Sequence, residues 1–207
     1  MGITRQAFNC LNQTINKYSK DTSIVDVIEL GIQESVEPLG FHYLRDSIGK
    51  NYRSYISLDL HNVGGATLFD LSEKNPSAFN VDIITNIGTT EHVEYEDGQY
   101  NCWYNIHNWL KVGGISIHEI PEVGSWGGHC RYYTNFEFFN MFKSIGYNII
   151  ELENHVHPNN GNLNWCVMEK VGDANFVDID TFYRYMNIDK STSLSEINKT
   201  NNPKNLK

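Results

Sequence analysis

The chain has 207 residues, 40% of them hydrophobic and 13% aromatic, which is enough apolar material for one core. Against 16 Lys and Arg stand 25 Asp and Glu, and the formal net charge of -9 repels a phosphate backbone where no basic stripe is concentrated. The lysines are scattered, no apolar run approaches the roughly 20 residues of a spanning helix, and the first residues lack a signal-peptide layout. The expectation is a soluble, cytoplasmic protein with neither nucleic acid nor membrane as partner.

Phe8, Leu11, Ile15 and Tyr18 recur at helical spacing after Thr4 and predict an amphipathic helix over the first twenty or so residues. Residues 25–30 form a short, largely apolar run of the kind found in a strand buried on both faces. After a turn at Gly31, Pro38 suits the first turn of a helix. Leu39, Leu44 and Ile48 would line its buried face, and Gly49 can end it. Strands follow over residues 55–60, with Asp59 near the end, over 66–71 and over 81–86. Trp103, Ile106, His107 and Leu110 predict the next helix, and the Gly113-Gly114 pair introduces a strand over 114–117. Thr134-Asn135-Phe136-Glu137 has the pattern of a capping box, starting a helix that carries Phe138, Phe139 and Phe142 and stops at Gly146. Residues 147–152 and 165–171 predict two strands joined by a Gly/Asn-rich loop and therefore antiparallel to each other.

This alternation predicts an α/β fold: a Rossmann-like three-layer sandwich whose mostly parallel, seven-stranded sheet has an antiparallel last strand. A single domain over 1–188 is expected, with residues 1–20 laid over a ligand cleft and a polar tail over 189–207. Cys10, Cys102, Cys130 and Cys166 lack Cys-x-x-Cys spacing, which predicts reduced and mostly buried thiols.

The turn after the first buried strand, Glu29-Leu30-Gly31-Ile32-Gln33-Glu34-Ser35, starts like a nucleotide-binding turn and then loses its glycines. A dinucleotide site needs the later glycines for close approach to a pyrophosphate, and Glu34 and Glu37 would repel that group. A cofactor with a positive centre and no phosphate meets no such repulsion, and S-adenosylmethionine fits this description. Several segments together resemble the successive motifs of class I S-adenosylmethionine-dependent methyltransferases, over about residues 20–170. They are Glu29-Leu30-Gly31, Asp59, Phe69-Asp70-Leu71, the run from Val81 through Asn86 to Gly88 with Glu91-His92-Val93, and Leu110-Lys111-Val112-Gly113-Gly114. The resemblance implies S-adenosyl-L-methionine as cofactor. Glu29 and Gly31 would lie against its methionine part, Asp59 at the ribose, and Asp70 with Leu71 at the adenine. Residues 86–89, with Asn86 and Gly88, would line the path between sulfonium and acceptor. Where the family repeats its glycines, this chain has Gln33 and Ser35.

Methyl transfer to oxygen also removes a proton, and a histidine can take it. His129, His118 and His92 are the candidates, with Glu119 nearby in the sequence pattern, and residues 124–128 with Tyr132 and Tyr133 are expected to form a mobile wall of the acceptor site. No metal is expected, because no helical His pair or Cys pair is present. His155 and His157 are expected to be solvated. Asn86-Ile87-Gly88-Thr89 in place of the Asn/Asp-Pro-Pro-aromatic signature of enzymes that methylate bases or glutamine amides, together with the acidic charge, disfavours DNA. With the first helix and the loop after strand five as the pocket's only expected cover, the acceptor is expected to be a small molecule or sugar-like compound methylated on O or N. Two alternatives stay open at this point: a methyltransferase-like binding module without activity, and a nicotinamide-dependent oxidoreductase.

Overall fold

The computed structural model describes residues 2–18, 25–48, 51–93, 95–157 and 161–189. The expected helix stop at Gly49 and the expected tail, apart from Asp189, lie outside the described residues.

A sheet of seven strands organises the chain. Its order is β5 (Thr67–Leu68), β4 (Ser54–Asp59), β2 (Asp26–Leu30), β6 (Val81–Ile87), β7 (Leu110–Pro121), β10 (Asn162–Lys170) and β9 (Tyr147–Val156). Strands β5, β4, β2, β6 and β7 pair in parallel, and β10 runs antiparallel to both of its neighbours. The strand order reverses between β2 and β6, so the crevice outside their carboxyl ends is the ligand-binding place of such a sheet.

Each central strand feeds two cores by alternation, because successive side chains point to opposite faces. Val27, Ile83 and Val167 pack with Leu11 and Ile15 of α1 (Arg5–Tyr18) and with Leu44 and Ile48 of α2 (Leu44–Ile48). Ile28, Ile84 and Met168 face the other way. They join Trp103 of α3 (Glu96–Trp109), Phe138 and Phe139 of α4 (Phe136–Met141), and Phe182 of α5 (Ile179–Tyr185). Helix α1 thus lies along one face of the sheet. Its first turn reaches the segment after Gly31, where the Arg5 guanidinium donates to the Pro38 carbonyl at 3.0 Å and Phe8 packs on Phe41.

Several local expectations are corrected. No helix starts at Pro38: β1 (Gly2–Ile3) pairs in parallel with β3 (Glu34–Ser35), and Glu34 bridges to Tyr43, so helix begins only at Leu44. Tertiary pairing outweighs Pro38's suitability for a first helical turn. The cap of α4 is Asn135 and not Thr134; its Oδ1 accepts from the Phe138 N–H at 2.8 Å, while the Thr134 hydroxyl accepts from the Asn164 amide at 3.0 Å. The helix continues as a 3-10 turn over Phe142–Ile145 and ends at Gly146 as predicted, through a left-handed φ of 87°. Helix α5 was not anticipated from the sequence. Its start is signalled by Asp178, which caps Thr181, and its exit strand β11 (Asn187–Ile188) pairs with β8 (Tyr132–Tyr133). The four cysteines are free thiols, with Cys102, Cys130 and Cys166 buried. No described helix is long and apolar enough to cross a membrane.

Candidate active site

Three neighbouring parallel strands, β2, β4 and β5, end on one side of the reversal point. Gly31 leaves β2 with a φ of 67°, a conformation that favours glycine, and its N–H donates to the Leu58 carbonyl at 2.7 Å. Asp59 closes the turn from the neighbouring strand: one carboxylate oxygen accepts from the Ile32 N–H at 3.1 Å and the other from the His61 N–H at 2.9 Å. A carboxylate has about four acceptor positions, so Asp59, which is partly exposed, keeps acceptor capacity for a ligand hydroxyl. Beyond β5, Asp70 Oδ1 accepts from the backbone and hydroxyl of Ser72 at 2.8 and 2.7 Å, and Leu71 is buried behind it.

Glu29 is fully buried beneath this turn, where it accepts from the Ser57 hydroxyl and from the Gln33 N–H. Burial pushes its carboxyl up to about 7, outweighing the two donors that favour the charged form. Gln33, at the position of the family's second glycine, is also fully buried. Its amide donates to the Gly31 carbonyl at 3.2 Å and to the Thr89 hydroxyl at 3.4 Å, and that hydroxyl donates to the Leu30 carbonyl at 2.5 Å. The side chain therefore ties the ends of β2 and β6 together while leaving its Oε1 buried without a partner among the described residues. The sequence pattern marked Gln33 as a departure; only the fold shows where its side chain goes.

On the far side of the crevice, the Asn86 amide bonds the Thr90 hydroxyl at 2.9 Å and His118 Nδ1 at 3.1 Å, and its carbonyl oxygen accepts from the Thr90 N–H. His118 has no exposed surface, stacks on Trp103 with ring centroids 4.9 Å apart, and is pushed down to about 3 by burial. Its position is that of a packed ring positioning Asn86. Gly88, with a φ of 63°, donates to the Glu119 carbonyl at 2.8 Å and turns the chain into the 3-10 turn Thr90–His92.

That turn presents Glu91 and His92 to His129, which arrives from the loop after β7. The rings of His92 and His129 stand 5.0 Å apart, and both are pushed down by burial, His92 to about 4. Glu91 is 5% exposed and burial pushes it up to about 8. Sequence reasoning gave Glu91 no role. Its signal was the Glu-His pair directly after a strand-ending glycine turn. Glu119 does not join this group: it pairs with His155 at 2.7 Å on the other side of its strand. His155 is buried and stacked on Trp165, which corrects the expectation of a solvated ring. Burial alone would lower it, and the Glu119 carboxylate outweighs that and holds its pKa above the usual value.

The glycine-rich loop is anchored by Trp126. Its indole N–H donates to the Asn162 carbonyl at 2.8 Å, its carbonyl accepts from the Tyr133 hydroxyl, and its ring lies 5.2 Å from that of His129. A Cβ at Gly161 would run into the Trp126 indole. Gly161→Ala is therefore expected to expel Trp126 from its seat, read as a red shift of tryptophan emission with little loss of overall stability.

Comparison with known proteins follows the same outline. No family model and no curated protein matches the chain. Among solved structures, it is similar to 1,6-didemethyltoxoflavin-N1-methyltransferase from Burkholderia thailandensis, determined with 1,6-didemethyltoxoflavin and S-adenosylhomocysteine bound. The TM-score is 0.57 at 14% identity, over 81% of this chain and 78% of that one. It is also similar to the N-methyltransferase NodS from Bradyrhizobium japonicum WM9, with a TM-score of 0.58 at 11% identity over 81% of this chain and 99% of that one. NodS in complex with S-adenosyl-L-homocysteine gives a TM-score of 0.57 at 11% identity, over 80% and 88% of the two chains. With its strand order, its antiparallel penultimate strand and these neighbours, the chain has the class I S-adenosylmethionine-dependent methyltransferase fold.

Proposed function

We propose that the protein transfers a methyl group from S-adenosyl-L-methionine to an O or N atom of a small-molecule acceptor. The observation that supports this reading is the placement of Gly31 after β2, Asp59 at the end of β4 and Asp70 after β5, at the carboxyl ends of neighbouring parallel strands on one side of the reversal point, with Glu29 buried beneath the first of these turns. The residues suit the cofactor. Gln33 Oε1 is a buried acceptor lacking a donor, of the kind an ammonium satisfies, and Asp59 retains acceptor capacity for ribose hydroxyls. Asp70 and Leu71 would hold the adenine.

Bound there, the cofactor supplies an electrophilic methyl group on sulfur. The chain's own contribution is to hold the acceptor in line behind it and to keep water out. Asn86 and Gly88 would shape the passage, and the acceptor's proton would leave through the cluster of His92, His129 and Glu91. His118 acts through Asn86 and not on the acceptor, because it is sealed in the core.

Calorimetric titration with S-adenosylmethionine and with S-adenosylhomocysteine tests the reading. Saturable binding is expected, weakened at least about tenfold in Asp59→Ala, a loss of roughly 1.4 kcal/mol or more. Undiminished affinity in that variant would sink the ribose assignment. One observation favours a second reading, a binding module without activity: Gln33 packs across the turn where the family has glycine. No heat with either ligand from folded protein would select it.

A further inference from the structure

We infer that Glu91, His92 and His129 form a binding site for a divalent first-row transition-metal ion. The donor atoms of the three residues lie within 4.8 Å of one another. Glu91 Oε1 stands 3.7 Å from His92 Nε2 and 4.0 Å from His129 Nε2, so the groups converge without reaching hydrogen-bond distance of each other. The sequence pairs Glu91 with His92 but does not bring His129 to them, since these ligands come from a 3-10 turn and from a loop nearly forty positions later.

A second observation points the same way. The Glu91 side chain is only 3% exposed, and its Oε2 has no hydrogen-bond partner among the described residues. A buried carboxylate oxygen without a partner is costly unless the group is neutralised, paired or bound to a metal, and coordination is the arrangement that the two neighbouring imidazoles suit. The two imidazoles are more open, 27% exposed at His92 and 38% at His129, so an ion here keeps coordination positions free on the solvent side.

Two imidazoles and one carboxylate are the donor set of zinc and non-haem iron sites with open positions. Donors about 2.0–2.2 Å from an ion stand roughly 3.0–3.5 Å apart, so this set must close slightly on binding. The loop before His129 is not crowded at its glycines: added Cβ atoms at Gly124, Gly127 and Gly128 would meet nothing within 4 Å among the described residues. The ion's use goes beyond the proposed methyl transfer and rests on it in one respect only. With their Nε2 atoms on the ion, His92 and His129 would no longer take the acceptor's proton themselves, and an acceptor bearing an oxygen or nitrogen lone pair would take an open coordination position, where the ion eases release of that proton.

Protein stripped with a chelator is titrated with Zn²⁺, and separately with Co²⁺ to read visible d–d bands. One equivalent is expected to bind, and His92→Ala, His129→Ala and Glu91→Gln are each expected to weaken binding at least tenfold while circular dichroism stays unchanged. His61→Ala, at an exposed histidine, is expected to leave it intact. Absence of binding, or equal affinity in the parent and the His92→Ala and His129→Ala variants, overturns the site. Cofactor titration of the same samples separates the two readings. Metal binding without cofactor binding removes methyl transfer alone; cofactor binding without metal binding removes this inference alone.

Discussion

Trp103→Ala will lower the stability of the fold by about 3–5 kcal/mol, the range for removing a fully enclosed aromatic side chain. Trp103 is the largest side chain at the centre of the aromatic core. It stacks on His118 and meets Phe138 edge-on at 4.9 Å and Phe142 at 5.6 Å. These rings come from α3, β7, α4 and the 3-10 turn after it, so no single element can collapse into the gap. Its indole N–H has no partner among the described residues, so Trp103→Phe gives up no hydrogen bond seen there and is expected to cost much less. The effect reaches the site by a short path. His118 loses its stacking face, Asn86 loses its support, and Asn86 holds Thr90 in the turn that presents Glu91 and His92. Urea denaturation of both variants is the measurement; a loss below about 1 kcal/mol in Trp103→Ala would contradict the packing described here.

Between about pH 4.5 and 7, the stability of the parent protein will fall with rising pH relative to that of Glu29→Gln, by on the order of 3 kcal/mol. The carboxyl of Glu29 titrates near 4.5 in an unfolded chain and is pushed up to about 7 by burial in the folded one. Within that window the folded chain keeps a proton that the unfolded chain has released, so raising the pH favours unfolding. Below the window both states are protonated, and above it both are ionised. His118 has the opposite sign. Pushed down to about 3, it makes the folded chain bind fewer protons than the unfolded below 6.5, so its contribution is lost as pH falls. That opposition would hide the Glu29 effect in the parent alone, which is why the comparison with Glu29→Gln is needed: groups common to both proteins cancel. Parallel stability curves for the two would contradict a buried, protonated Glu29.

The order of strands and helices was legible from short-range patterns. Residues 25–30 and 81–86 are apolar on both faces because the central strands supply alternate residues to two cores, and Gly146 stops its helix through its own conformation. The turns at Gly31 and Asp59 were legible for the same reason, since strand ends follow from strand periods, whereas β5 stops at Leu68, short of the expected end near Asp70. Patterns failed where a distant segment competes for the backbone. Pro38 is denied a helix by the pairing of residues 2–3 with 34–35, and His155 is drawn out of solvent by Glu119 and Trp165.

What the sequence determined by itself is the α/β architecture and the positions of the turns along the sheet edge, because both are written in hydrophobic period and in glycine. Only the tertiary structure decided which polar side chains meet. It folded Gln33 into the glycine turn, sealed His118 against Trp103, and brought His129 to Glu91 and His92 across nearly forty residues of chain. Such meetings depend on how loops cross the sheet edge and on which carboxylates lose their water, and neither is encoded in local spacing.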